Sequence, residues 1–348
     1  SDYYQKFSTL PAAEQDALRK AELHYNTPSV QILDTLGRAF KTIKYKLDIS
    51  RINDSNRDDN ELITYTEFTI TGRPETVTDP RQYSAGSGVK NFQYTYAMDE
   101  NVIQTISVDA GTDRVFVNVM NKPVISFDSR GHKVSVEYDL LHRPVLTHVS
   151  GNGLDNTTER LIYGESQTNP QVNNLRGKVY KHYDQAGVVT VSLYSFKGEP
   201  RNTQRQIRKE YKEEANWVTA ADWNALLENE VFTSEMKYDA LGKVSEQIQP
   251  DGSSTKPEYH MSGRLNKVNV RLKNESSYTE FVSGITYNPK GQRECIVYGN
   301  SSKTEYTYER ETFRLTSLNT TRTSDSRVLQ DITYTYDPVG NITEIIDN

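Results

Sequence analysis

Apolar and polar residues alternate along most of this chain, from about Val30 to the last residues. Successive side chains of a strand point to opposite faces, so strict alternation predicts strands with one buried and one wet face. The clearest examples are Phe92, Tyr94 and Tyr96; Val134, Val136 and Tyr138; Val189, Val191 and Leu193; and Ile332, Tyr334 and Tyr336. The pattern predicts a mainly β protein.

Two stretches have helical spacing instead, and they predict short helices near residues 10–24 and 219–230. Thr9 can cap the first of them. The apolar positions are Leu10, Ala13, Ala17, Leu18 and Leu23 in the first stretch, and Trp223, Leu226 and Leu227 in the second. A polar run at 51–61 predicts a loop, and the glycines within 83–89 predict a flexible connection.

Between the predicted strands, a glycine stands four or five residues after an aromatic or apolar residue. We interpret each such unit as a β-hairpin. The aromatic residue ends one strand, an aspartate after it favours the turn, and glycine takes the positive φ that precedes the return strand. The Arg or Lys that follows the glycine is expected to start the solvent-facing side of the return strand.

Near the C-terminus these turns recur on a lattice. Tyr238, Tyr259, Tyr287, Tyr308 and Tyr336 are 21, 28, 21 and 28 residues apart, so a two-hairpin unit repeats every 49 residues. A fixed period indicates one supersecondary unit stacked many times. Thr312 stands where the fourth glycine would be, which indicates an insertion or a different turn. The repeat-defining residues are Tyr138, Asp139, Tyr183, Asp184, Gly187, Tyr238, Asp239, Gly242, Tyr259, Gly263, Tyr287, Gly291, Tyr308, Tyr336, Asp337 and Gly340.

Composition favours a thin sheet over a compact globule. The hydrophobic fraction is 35% and the mean hydropathy is −0.75, yet the 23 tyrosines are unlike a disordered chain. Tyrosine suits a wetted sheet because its ring packs while its hydroxyl stays in water. Cross-strand packing is therefore the main interpretation of the tyrosines, and a tyrosine-lined face that contacts unfolded cargo or sugar is the functional alternative.

Charge and cysteine usage exclude several classes of protein. The net charge is −6, and acidic and basic residues are mixed along the chain. The sequence contains no basic block of the kind that binds nucleic acid, so we expect no nucleic-acid binding. Cys295 is the single cysteine, which excludes an internal disulfide framework. No apolar run approaches 18 residues, so we expect no transmembrane helix and no membrane contact. The chain starts at Ser1 and ends just after a repeat, and we expect it to be a segment of a larger polypeptide.

No catalytic, cofactor or metal site is predicted. The six histidines form no metal-binding pair, and Asp54, Asn56 and Asp58 lack the glycine and glutamate of a calcium loop. Cys295 is expected to face inward as a small hydrophobe, far in sequence from any histidine. Asp337 lacks the second carboxylate of an aspartyl protease and is interpreted as a turn residue.

Several strings resemble the YD repeats of the Rhs family, among them Tyr138 to Pro144, Tyr183 to Gly187, Tyr238 to Lys243 and Tyr336 to Thr343. More specific strings resemble the B component of insecticidal toxin complexes, the Tc toxins. These strings are His24 to Val30, Asp34 to Arg38, Asn174 to Lys178, Ser195 to Gly198 and Tyr308 to Thr316. The resemblance covers nearly the whole chain.

The resemblance implies a strip of β-hairpins that spirals into part of a hollow shell. In that family the B and C components form a cocoon around the toxic C-terminal part of the C component. A β-propeller of the B component gates this cocoon onto a pore-forming A component. This chain would form part of the shell wall and would be secreted as part of a bacterial toxin. Its direct partners would be the rest of the same polypeptide and the C component, and its indirect partner would be the A component. We divide it into an N-terminal helical segment (1–25), an irregular hairpin region (26–232) and regular YD repeats (233–348).

Two other functions stay open. A carbohydrate- or cell-surface-binding module would use aromatic rings that stack on sugars, with Trp217 and Trp223 on an exposed face. An enzyme has the weakest support, because no catalytic constellation occurs in the sequence. The structural role, in which the wall confines a polypeptide, is favoured.

Overall fold

The computed structural model describes residues 12–22, 27–46, 61–218, 223–337 and 339–348. Some sequence predictions lie outside these ranges. They concern the ends of the first helix and the loop that contains Asp54, Asn56 and Asp58.

The described chain is almost entirely strand, as the alternating pattern predicts. The first strands are β1 (Val30–Leu33), β2 (Ala39–Tyr45), β3 (Glu61–Phe68), β4 (Pro74–Thr78), β5 (Phe92–Tyr96), β6 (Val102–Ser107), β7 (Gly111–Val117), β8 (Pro123–Phe127), β9 (Lys133–Tyr138), β10 (Pro144–Gly151), β11 (Leu154–Tyr163) and β12 (Val179–Asp184). The remaining strands are β13 (Gly187–Tyr194), β14 (Pro200–Ile207), β15 (Phe232–Tyr238), β16 (Val244–Ile248), β17 (Ser254–Tyr259), β18 (Leu265–Arg271), β19 (Thr279–Tyr287), β20 (Arg293–Tyr298), β21 (Ser302–Tyr308), β22 (Leu315–Arg322), β23 (Arg327–Tyr336) and β24 (Ile342–Asp347).

These strands form one 24-stranded antiparallel sheet in which each strand pairs with its neighbours in sequence. In such a meander, successive connections lie alternately at the two long sides of the strip. We call the side that holds the connection after β1, after β3 and after every second strand up to β23 the tyrosine edge. The other side is the opposite edge.

The strip is one layer thick over most of its length, so few side chains are fully buried. The largest buried cluster consists of Tyr183, Val188, Ala215, Trp217 and Leu227. It forms where the connection after β14 folds back over the sheet. A thin, half-wetted sheet explains the low apolar fraction of the sequence.

The folded-back segment, residues 208–218, is held by specific bonds, and we call it the strap. The Trp217 amide donates to the Thr157 carbonyl at 2.9 Å, and the Thr157 amide donates to the Asn216 side chain at 2.9 Å. The Trp217 indole N–H donates to the Asp184 carbonyl at 3.1 Å. Its ring packs on Tyr183 with centroids 5.1 Å apart. The strap therefore covers part of β11 and β12.

The prediction of a helix near residues 219–230 is largely wrong. Only a 3-10 helix, Trp223–Leu226, is present there, and Leu227 forms an isolated bridge with Arg208. Residues 219–222 lie outside the described part of the chain. The apolar spacing reflects packing instead, because Trp223 contacts Tyr183 with ring centroids 4.7 Å apart. A second 3-10 helix, Gly164–Ser166, follows β11.

The flexible connection expected over residues 83–89 is partly wrong, because a short helix α2 (Pro80–Ala85) occupies its start. The Asp79 carboxylate accepts a bond from the Gln82 amide at 2.9 Å and caps the helix. Gly86 ends it with φ 58°. The sequence reading weighed the glycines and overlooked the Asp-Pro start signal.

Helix α1 (Ala12–Glu22) matches the first predicted helix, and its Ala17 and Leu18 are buried. It lies against β23 and β24, the last two strands. Laid flat, the sheet would separate its first and last strands by about 110 Å at the usual strand spacing. The seven residues between α1 and β1 can span at most about 25 Å. The strip must therefore curve until its end approaches its beginning.

No helix among the described residues is long and apolar enough to cross a bilayer.

Candidate functional site

The feature that repeats along the strip is the tyrosine edge. The strands that end there close with an aromatic or apolar side chain. In order along the chain, these closing residues are Leu33, Phe68, Tyr96, Val117, Tyr138, Tyr163, Tyr194, Tyr238, Tyr259, Tyr287, Tyr308 and Tyr336. The side chains of one hairpin thus stand beside those of the next along a single line.

Most turns of this edge are built on the polar residue that follows the closing residue of the strand, and Asp139 is an example. Its amide donates to the Arg143 carbonyl at 2.9 Å, and its carbonyl accepts from the His142 amide at 2.9 Å. One carboxylate oxygen accepts the amides of Leu141 and Arg143, both at 2.9 Å. The other lies 2.7 Å from Nε of Arg143. Asp34 and Asp239 accept the amides of the second and fourth residues after them in the same way. The Asp337 carboxylate accepts the amides of Gly340 and Asn341 at 2.7 and 2.8 Å.

These hydrogen bonds favour the ionised carboxylate. Amide donors at Arg38 lower the pKa of Asp34, and those at Lys243 lower the pKa of Asp239. At Asp139, burial acts to raise the pKa, but the bonds from Arg143 outweigh it and the net pKa is lowered. The turn aspartates therefore remain charged acceptors at neutral pH.

The tyrosine hydroxyls connect each hairpin to the one before it. Eight of them donate to the carbonyl of the first residue in the return strand of the preceding hairpin, at 2.5 to 3.1 Å. The pairs are Tyr96 to Pro74, Tyr138 to Pro123, Tyr163 to Pro144, Tyr194 to Val179, Tyr238 to Pro200, Tyr259 to Val244, Tyr287 to Leu265 and Tyr308 to Arg293. Burial raises the pKa of the Tyr138 and Tyr259 hydroxyls, which keeps them protonated as donors.

At eight of the twelve turns, the closing residue is a cation that connects the hairpin to the one after it. It lies over the aromatic ring of the next hairpin, with 3.8 to 5.9 Å between the charged group and the ring centroid. The pairs are Arg38 on Phe68, Arg73 on Tyr96, Lys122 on Tyr138, Arg143 on Tyr163, Lys178 on Tyr194, Lys243 on Tyr259, Arg264 on Tyr287 and Arg314 on Tyr336. Some of these cations also donate to the next turn; Lys243 reaches the Gly263 carbonyl at 2.7 Å. Sequence reasoning expected these cations to face solvent and missed this contact.

One predicted YD unit lies elsewhere. Tyr183, Asp184 and Gly187 belong to the hairpin β12–β13, whose turn is at the opposite edge. There the Asp184 carboxylate accepts two bonds from Arg205, both at 2.8 Å. Tyr183 is buried beneath the strap. The spacing of the predicted turn residues in the first half of the sequence is therefore irregular partly because the series combines residues from both edges.

The turn after Tyr308, where the 49-residue lattice lacks its glycine, has a different geometry. After Tyr308, the Glu309 amide donates to the Arg314 carbonyl at 2.8 Å, so the turn is one residue longer than its neighbours. Phe313 takes the left-handed conformation, with φ 59°. Thr312 is therefore not the residue that replaces glycine. The sequence reading was right that the turn differs.

Sequence reasoning missed Tyr96, Tyr163 and Tyr194 as members of the line. None is followed by aspartate; Ala97, Gly164 and Ser195 stand there. Ser195 replaces the carboxylate with a hydroxyl that accepts the Lys197 and Glu199 amides at 3.2 and 3.1 Å. The spacing could have found Tyr96, because Phe68, Tyr96, Val117 and Tyr138 are 28, 21 and 21 residues apart, whereas Tyr163 and Tyr194 do not keep this spacing.

The tryptophans do not form an exposed sugar-stacking face. Trp217 is fully buried and Trp223 is half-buried against Tyr183. The tyrosine hydroxyls of the edge are already bonded to backbone carbonyls. Cys295 is half-buried in β20, and burial raises the pKa of its thiol. Within the described ranges, no cluster of three or more His, Cys, Asp and Glu side chains could hold a metal ion.

The chain is similar in sequence to two curated toxin subunits of Yersinia entomophaga. Toxin subunit YenC2 is 30% identical over 352 residues, which cover 94% of this chain and 36% of the relative. Toxin subunit YenC1 is 30% identical over 339 residues, which cover 94% of this chain and 34% of the relative. This chain spans about a third of the length of these relatives. No protein-family model matches it.

Solved structures have the same fold. A crystal structure of TcdB2-TccC3 superposes with a TM-score of 0.86 at 28% identity, over 97% of this chain and 16% of that chain. The chain is an RHS-repeat region of the Tc toxin type. The Photorhabdus luminescens Tc holotoxin pore, carrying a TccC3 mutation, contains a similar region, with a TM-score of 0.83 at 28% identity over 94% of this chain and 15% of that chain. The mainly β hairpin strip expected from the sequence is confirmed for this RHS-repeat region.

Proposed function

We propose that this RHS-repeat region is a length of wall in a toxin-complex shell, which encloses and shields a cytotoxic polypeptide before its translocation. The observation that carries the proposal is the single curved layer whose last strands meet helix α1. A layer of this shape separates two volumes of solvent and has little core of its own. Its similarity to chains that contain TcdB2 and TccC3 supports the proposal.

The proposed partners follow from the same role. The wall would continue into the remainder of the same polypeptide, contact a C component that carries the toxic region, and meet a pore-forming A component indirectly. We propose secretion with the toxin and a structural rather than catalytic role. The sequence resemblance favours the B component, whereas the curated relatives are toxin subunits YenC2 and YenC1 and the similar solved chains contain both TcdB2 and TccC3. The divisions 1–25, 26–232 and 233–348 would be parts of one continuous wall.

Protease protection of the enclosed polypeptide tests this function. In the complete toxin complex, the cytotoxic segment should survive a protease that digests it rapidly once the complex is denatured. Digestion at equal rates in the intact and denatured complex would contradict the proposal.

The shape of the isolated chain gives a second test. A filled globule of this length should have a radius of gyration of about 20 Å by size scaling. A curved single layer should give a larger value, with a distance distribution depleted at its centre, in small-angle X-ray scattering. A value near ~20 Å would favour a filled core and a binding module instead.

A further inference from the structure

At six of the twelve turns of the tyrosine edge, the residue after the turn-forming position is a large, fully exposed hydrophobe. Four of these turns, those after β3, β5, β7 and β9, are consecutive along the edge. Ile70, Met98, Val119, Leu140, Phe196 and Met261 are between 95% and 109% exposed. Turns of this kind tolerate polar residues at these positions, so hairpin geometry alone does not explain the choice.

The opposite edge lacks this row. Its turns include Asp128 to His132, Gln249 to Ser253 and Thr323 to Ser326, whose residues are polar or glycine apart from one proline. Large apolar residues do occur there, but in its turns Val108 and Leu272 are 49% and 46% exposed, and the more exposed Tyr211 (80%) belongs to the strap. The two sides of one strip thus differ in chemistry.

The apolar tips form a line. Successive turns at one edge are two strands apart, which is about 10 Å at the usual strand spacing. Over the four consecutive turns from Ile70 to Leu140, side chains of this size form a stripe, and Phe196 and Met261 extend it at wider intervals. Scattered exposed hydrophobes are ordinary, whereas a long contiguous stripe indicates a surface that another element covers.

The curvature of the strip indicates what covers it. Helix α1, which precedes β1, already lies against β23 and β24 and buries Ala17 and Leu18 on the described part of the chain. One revolution of the wall is thus nearly complete within these strands. The matched relatives are about three times as long as the region that aligns with this chain. Additional wall in such a polypeptide would run alongside this revolution, past one of its two edges.

We propose that the apolar turn tips of the tyrosine edge dock against the adjoining revolution of the same hairpin strip, formed by polypeptide outside this chain. The seam between revolutions would then be closed by apolar side chains, while hydrogen bonds close the wall along each revolution. This inference rests on the proposed shell function and adds the surface that seals it.

Methionine oxidation in the full-length toxin polypeptide tests the seam directly. Met98 and Met261 are at turn tips, and Met236 lies half-buried in β15 as an internal reference. With hydrogen peroxide as the probe, the tip methionines should oxidise at least about tenfold more slowly in the native polypeptide than after denaturation. Tip methionines that oxidise as fast as in the denatured polypeptide would overturn the inference.

A variant tests the consequence for containment. The triple change Leu140→Ser, Phe196→Ser and Met261→Ser alters exposed tips and leaves the hairpin hydrogen bonds in place, so the polypeptide should fold. In the complete complex, the enclosed segment should become protease-sensitive. The control change, Val108→Ser with Leu272→Ser, alters half-exposed hydrophobes at the opposite edge and should preserve protection.

The two proposals fail in different ways. If the wild-type complex does not protect the segment, the shell function itself is wrong. If the wild type protects it and the triple variant protects it equally, the shell function stands and the seam inference is wrong. Slow oxidation of Met261 with an unaltered triple variant would place another partner on the stripe and would also reject the seam.

Discussion

The Tyr259 hydroxyl shows how a single group joins two hairpins. It donates to the Val244 carbonyl at 3.0 Å, and its ring lies under Lys243. Removing the hydroxyl in Tyr259→Phe leaves the ring contacts but not the bond. The free energy of unfolding should fall by about 1 kcal/mol in urea denaturation. Tyr211→Phe, at a solvent-exposed ring of the strap, should change it by less than about 0.5 kcal/mol; equal effects would contradict the assigned role of the edge hydroxyl.

Glu246 has four favourable neighbours around its carboxylate. Lys237 Nζ is 2.7 Å away, the Tyr278 hydroxyl 2.7 Å and the Ser254 hydroxyl 3.2 Å. Lys256 Nζ is at 3.6 Å. The Lys237 hydrogen bond, followed by that of Tyr278, lowers the pKa of Glu246 to about 2.

Stability should therefore depend on pH through this group. Because the pKa in the folded state is below the ordinary value of 4.5, the stabilisation is present above pH 4.5 and is lost as pH falls towards 2. Since Lys237 is half exposed, we expect a contribution of about 2 kcal/mol. Glu246→Gln should flatten this part of the pH–stability profile, and Glu294→Gln, at an exposed strand position, should retain it. Superimposable profiles for wild type and Glu246→Gln would reject the prediction.

At the scale of the hairpin, Gly263 satisfies two requirements. Its φ is 80°, and an added Cβ would meet the ammonium group of Lys243 from the preceding turn. Gly263→Ala should cost about 2 kcal/mol, from the left-handed backbone and the displaced lysine. Gly284→Ala, in β19 with ordinary φ and nothing within 4 Å of the new atom, should change stability by less than about 0.5 kcal/mol. Thermal denaturation followed by circular dichroism compares them, and similar losses in both would reject the account.

How much the sequence predicts also differs by element. Alternation and turn glycines predict the strands and hairpins because each pattern reports local geometry. The contact of Lys243 with the ring of Tyr259 could not be predicted, because it depends on which hairpins become neighbours. The prediction of the second helix was wrong for a similar reason. Trp223 and Leu227 are spaced as in a helix, but they pack with the buried cluster around Tyr183 instead. The apolar residues at the turn tips can be found in the sequence, but only the order of the strands in the sheet shows that they lie at one edge.

At the scale of the whole molecule, helix α1 reports the curvature of the strip. Leu18 is buried where α1 meets β23 and β24, so Leu18→Asp should release the helix, because an unpaired charge is costly to bury. Hydrogen exchange in β24 should then rise by at least about tenfold. Ala12→Asp, which adds the same charge at an exposed position of α1, should leave exchange in β24 unchanged. Equal exchange in both variants would mean that α1 does not hold the end of the strip.

The backward-reaching tyrosines and forward-reaching cations give the strip a direction. The tyrosine hydroxyl of a hairpin bonds to the preceding hairpin, and its closing cation contacts the ring of the following hairpin. A chain emerging from the ribosome could lengthen this sheet from its N-terminal end, one hairpin at a time, because the contacts of the tyrosine edge join hairpins that are adjacent in sequence. Proteins built from such local contacts fold quickly for their size. Synthesis itself could then set the order in which the strip is built, well before its ends come together.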